Sequence, residues 1–102
     1  MASRLSLQDE LETLLGSENV YFQPPESLRM NYPCIRYELS GATQFRADNK
    51  NYATHKSYAV YHIYKDPDAD LINTFLNSFQ MCEHDRHYVS DGLYHDVYTI
   101  FY

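Results

Sequence analysis

The sequence predicts an α+β domain: a mainly antiparallel, tyrosine-rich sheet, with an N-terminal helix over 1–16 and one helix over about 67–79 packed on it. Three observations carry this prediction. Lys56–Tyr64 (KSYAVYHIY) and Tyr94–Tyr102 (YHDVYTIFY) are dense in β-branched and aromatic residues, which favour a pleated backbone. Leucines at 5, 7, 11, 14 and 15, and apolar residues at 71, 72, 75, 76 and 79, follow helical spacing instead. Eleven tyrosines stand with no tryptophan, eight of them (37, 58, 61, 64, 88, 94, 98 and 102) in segments of strand pattern. Tyrosine joins a large apolar body to a polar tip, which suits surfaces that form wet and finish mostly dry.

Taken in order, the first helix has Ser3 or Ser6 as its N-cap and Gly16 as its stop. At about three turns it needs a packing partner. Glu18–Gln23 reads as a short strand closed by Pro24-Pro25. Pro33 opens an alternation with Ile35, Tyr37 and Leu39 on one face and Cys34, Arg36 and Glu38 on the other; Ser40-Gly41 breaks it. Residues 42–52 (ATQFRADNKNY) read as a polar loop, with at most a weak strand at Gln44–Arg46. In the following strand Tyr58, Val60, His62 and Tyr64 share a face. Asp66-Pro67 marks a helix start, with Asp as N-cap and Pro in the first turn. Met81–Asp85 reads as a polar connector into a hairpin over 86–102, turned at Asp91-Gly92. On its last strand Tyr94, Asp96, Tyr98, Ile100 and Tyr102 share one face.

A chain of 102 residues suits a single domain, 1–102, with one modest core. Its formal net charge of −6 argues against general affinity for phosphate backbones. No apolar run approaches the roughly 18 residues of a membrane helix, and Met1–Ser17 is too polar for a signal peptide, so cytoplasmic synthesis is expected. Cys34 and Cys82 lie far apart, form no CxxC, and read as reduced thiols.

Catalytic and ligand-binding motifs are missing. There is no GxSxG and no HExxH, and the three glycines make no phosphate cradle, so no enzyme and no cofactor are expected. Cys82, His84, His87, His95 and Asp96 are metal-ligand types. Their CxHxxH spacing matches no zinc module, and strand alternation splays them, so no metal is expected. KSYAVYHIY resembles the aromatic strand of RNA-recognition domains, but Ser57 replaces the glycine and Val60 the stacking aromatic.

Four stretches carry a family resemblance: YPCIRYEL (Tyr32–Leu39), ADNKNY (Ala47–Tyr52), KDPDADLI (Lys65–Ile72) and DRHYVSDGLYHDVYTIFY (Asp85–Tyr102). Together they resemble the small tail-completion or tail-terminator proteins of long-tailed bacteriophages, over about four-fifths of the chain from Val20 onward. The resemblance implies a non-enzymatic virion component at the head–tail junction, assembled in the host cytoplasm. Such a protein forms a homohexameric ring that caps the tail tube protein and meets the head-completion or connector protein. DNA passes only in transit through its channel, and no membrane is involved. Another neck (head-closure) ring component is the near alternative, and a small acidic host-directed inhibitor the distant one. Candidate contacts between subunits are Arg46, Asp48, Asn49 and Tyr52 on the polar loop, Arg36 and Arg86 as isolated charges, and Tyr88 and Asp91 on the terminal hairpin.

Overall fold

Local chemistry at both ends sets the first helix, α1 (Arg4–Leu15). The computed structural model describes residues 3–47 and 50–102, and the side chains of 3–42 and 55–102. At the start of α1 the Ser3 hydroxyl accepts from the Ser6 N–H, and at its end Gly16 takes the left-handed conformation with φ 75°. There the Gly16 and Ser17 N–H groups both donate to the Glu12 carbonyl, closing the helix. Leu7 and Leu11 are fully buried, whereas Leu5, expected on the same face, is 64% exposed. Polar contacts fix the angle of α1: the Tyr37 hydroxyl donates to Gln8 Oε1 at 2.5 Å, and Gln8 Nε2 donates to the Val20 carbonyl at 3.0 Å.

Five strands follow: β1 (Val20–Phe22), β2 (Cys34–Ala47), β3 (Lys50–Tyr64), β4 (Cys82–Ser90) and β5 (Leu93–Phe101), with α2 (Ile72–Ser78) between β3 and β4. They form one sheet in the order β1-β2-β3-β5-β4, antiparallel except for the β1–β2 pair. This is the α+β fold expected. Because β5 lies antiparallel between them, β3 and β4 run parallel and α2 crosses over the sheet to join them. Both helices lie on one face. Leu7, Leu11, Phe75 and Phe79 pack there on Ile35, Tyr37, Tyr58, Val60, Tyr98 and Ile100, the residues that alternation places together.

Three expected boundaries are corrected. Residues 42–52 are strand rather than loop at every described position, because Ser40-Gly41 makes a bulge and the ladder resumes beyond it. There the Ser40 hydroxyl donates to the Ser57 carbonyl at 3.0 Å across the two strands. The second helix begins at Ile72, not at 67. Asp66 spends its acceptors on a turn, taking the Asp68 N–H on its carboxylate and the Ala69 N–H on its carbonyl, and Asp70 takes the Ile72 N–H. The connector over Met81–Asp85 is strand from Cys82 onward, since β5 supplies a partner for its backbone.

The β2–β3 pair outruns the sheet. β5 accompanies β3 only as far as Ser57, and β1 accompanies β2 only as far as Tyr37. Thr43–Ala47 and Lys50–Thr54 therefore extend as a two-stranded arm of roughly 15–20 Å. The molecule measures 50 × 28 × 23 Å, and its radius of gyration of 14.6 Å exceeds the ~13 Å of a compact chain this long. Elongation of this kind is what an arm produces.

Candidate functional site

The helix-free face of the sheet gathers three of the eight candidate contact residues. Register puts Arg36, Tyr61, Val97 and Arg86 in one row across β2, β3, β5 and β4. The Arg36 guanidinium lies 4.2 Å over the Tyr61 ring, and that of Arg86 lies 4.8 Å over Tyr88. Tyr88 stacks on His95 at 4.6 Å. An Arg36–Glu38 ion pair at 4.0 Å is part-exposed and contributes little. Flat arginine-on-tyrosine surfaces need little reordering to bind, because the planar groups already hold each other in place.

The remaining candidates fall elsewhere. Asp91 sits in the β4–β5 turn with φ 53°, followed by Gly92 at φ 74°, at the end of the sheet where Tyr64 pairs with Tyr94. The arm leaves from the opposite end, so Asp91 and the arm do not form one site. Arg46 and Tyr52 belong to the arm, where the register slips between Phe45 and Arg46 so that Arg46 opposes Asn51. Asp48 and Asn49 lie outside the described residues.

On the helix-bearing face, a hollow of about 300 Å³ opens between α1 and the end of α2, lined by Asp9, Glu10, Thr13, Leu14, Ser78 and Phe79. Glu10, Ser78 and Phe79 also border a second hollow of about 480 Å³ that runs past Met81, Phe101 and Tyr102 to His55 at the base of the arm. The Tyr102 hydroxyl, bonded to Glu10 and to Ser6, ties the end of β5 to α1. The resulting groove has an apolar floor and an acidic rim.

His84, His87 and Asp96, expected from strand alternation to be splayed apart, are instead brought together in a buried polar cluster. The Asp96 carboxylate, fully buried on β5, accepts from the Tyr64 hydroxyl at 2.6 Å. Its Oδ1 also meets His84 Nε2 at 2.9 Å and His87 Nδ1 at 2.7 Å. In a regular strand, residues three apart face opposite ways. Here β4 carries a bulge between His84 and Arg86, so His84 pairs with Tyr98 and His87 with Asp96, both on the helix-bearing face. Asp85, the extra residue, accepts from the Thr99 hydroxyl at 2.6 Å. No turn residue at 84–86 signals this bulge, so the spacing alone could not reveal the convergence.

Burial pushes the Asp96 pKa up, but the hydrogen bonds from Tyr64, His84 and His87 outweigh it and hold the carboxyl below its ordinary value. Burial pushes the neighbouring His62 down to about 4, against the opposing pull of Asp96 and Asp70. His62 stacks on Tyr64 at 4.5 Å, and among the described residues its Nδ1 has no hydrogen-bond partner; the same holds for the buried Tyr98 hydroxyl. Asp96 has its oxygens occupied and lines neither hollow, so the cluster joins β3, β4 and β5 as a buried anion held by donors. Among the described residues no group of three or more His, Cys, Asp or Glu side chains is arranged to hold a metal ion. The two imidazoles meet at one oxygen instead of around a shared point.

The two thiols lie on different faces of strands separated by β3 and β5. At ~4.8 Å per strand step that is roughly 14 Å, twice the reach of a disulfide. Burial pushes both thiols up to about 11, which keeps them protonated and weakly reactive at neutral pH. Among the described residues no helix is long and apolar enough to cross a membrane. No protein-family model matches the chain, and no curated protein matches it.

Proposed function

We propose that this protein is a non-enzymatic assembly component of a long-tailed bacteriophage: a tail-terminator ring that caps the tail tube and joins it to the head connector. The observation that carries the reading is the arm. A two-stranded ribbon is marginal in water by itself, so one that outruns its own sheet gains stability when a neighbour covers it. The arginine–tyrosine rows on the helix-free face add a second surface of the composition that subunit contacts favour. Net acidity suits a channel that passes DNA without holding it, because like charge lowers affinity for phosphates. Arm, face and groove are different surfaces, and contacts between unlike surfaces build rings when the rotation closes.

The test combines native mass spectrometry of the purified protein with proteomics of purified particles. A hexamer in solution and a few copies per virion are expected. A chain that stays monomeric or dimeric, is missing from particles and inhibits a host enzyme is the host-directed inhibitor instead.

A further inference from the structure

Charge is unevenly distributed along this chain. Segment 43–54 holds two of its eight Lys and Arg residues (Arg46 and Lys50) but one of its fourteen Asp and Glu residues, Asp48. The arm is therefore cationic on an anionic molecule. The hollow between α1 and α2 has the complementary character: Asp9 and Glu10 on its rim, Leu14 and Phe79 on its floor. Its continuation runs past Met81, a large apolar side chain that is 41% exposed.

We propose that the arm of one copy seats in the α1–α2 groove of the next, with Lys50 against Asp9 and Glu10. This rests on reading the chain as a self-assembling ring component, and it names the receiving surface. A chain cannot fill its own groove this way. The groove reaches His55 at the base of the arm, while Lys50 lies five residues further out, roughly 17 Å at strand rise. The contact is thus between unlike surfaces, and it propagates head to tail from copy to copy. Opposite charge steers the arm to the groove and fixes its register, and the apolar floor gives Phe45, two positions from the Ala47 that pairs with Lys50, a surface to cover.

The experiment uses the full chain with a benzophenone amino acid in place of Phe45, mixed with isotopically heavy, unsubstituted protein and irradiated after assembly. Crosslinks from the light arm to heavy peptides containing Asp9–Leu14 or Ser78–Met81 are the expected result. In parallel, Lys50→Glu and Asp9→Lys are each expected to raise the concentration for half-assembly roughly tenfold, with the double variant recovering most of the loss. An intact oligomer whose crosslinks fall on other peptides, or are confined to one chain, overturns the docking proposal and leaves the ring reading standing. A chain that forms no oligomer at any concentration overturns both. Failure of the charge reversal to restore assembly, with each single variant folded by circular dichroism, also counts against the pairing.

Discussion

Tyr98 and His62 are the residues whose chemistry least matches their surroundings. The Tyr98 hydroxyl is buried without a partner among the described residues, while its ring stacks on Phe75 at 4.0 Å. An unsatisfied buried hydroxyl loses its hydration and gains nothing in exchange, so Tyr98→Phe is expected to stabilise the protein by about 1 kcal/mol. Urea unfolding measures it, as a higher midpoint at unchanged slope. His62 makes stability depend on pH. Its folded pKa lies near 4, against 6.5 for the free side chain, so below pH 6.5 the unfolded chain takes the proton first. Stability should therefore decline as pH falls from about 6.5 to about 4, by about 3 kcal/mol for a shift of this size. Asp96 acts lower down: its stabilising effect holds above its ordinary value of 3.8 and is lost as pH falls through its depressed folded pKa. His62→Leu should flatten the upper step of the unfolding profile and leave the lower one, as thermal melts from pH 7 to 3 would reveal.

At the scale of elements, β4 is arranged by one residue. Asp85 is the extra residue of the bulge, and with it Cys82, His84 and His87 all face the helices. Deleting Asp85 leaves a regular ladder in which Cys82, His84 and His87 keep their partners and their face, since His84 and His87 are then two residues apart and side chains alternate with a period of two. The Thr99–Asp85 hydrogen bond and the local bend are lost, so a cost of about 1–2 kcal/mol is expected, read as a lower urea midpoint with the fold retained by circular dichroism. Asp85→Gly keeps the residue count and should cost about 1 kcal/mol or less. The β4–β5 turn shows the opposite case. Asp91 and Gly92 both have positive φ, the geometry that Asp-Gly signals in a sequence, and the register follows from it.

For the whole molecule, the division is between a body and an arm. Among the described residues, the core of helices on the sheet uses nothing beyond Gly41 on β2 or before Ser57 on β3, and Gly41 pairs with Ser57 across the two strands. Replacing residues 43–55 by a two-residue Asn-Gly turn between the paired Ala42 and Lys56 is therefore expected to leave the thermal midpoint within a few degrees of the parent. The same variant should fail to form the oligomer in native mass spectrometry. An oligomer that survives this removal would shift the assembly contact to the arginine–tyrosine face.

How much of this was legible in the sequence depended on the range of the forces involved. The α+β class, α1 with its Ser3 and Gly16 ends, the Asp91-Gly92 turn and the faces of β5 all follow from capping, turn chemistry and periodicity within a few residues. Arg36 and Arg86 could be named as candidates, but their stacking on Tyr61 and Tyr88 required neighbouring strands in register. Residues 42–52 look like loop because they are polar, yet at every described position they form strand because the two halves of the hairpin pair with each other. Asp66-Pro67 looks like a helix start, but Asp66 and Asp70 bind nearby N–H groups first. The Asp96 cluster lay furthest from view. It needs three strands and a bulge to bring His84 and His87 to one oxygen, and burial to make that oxygen matter. Local chemistry is written in the order of residues, whereas which polar groups share one dry place is decided only when the strands meet.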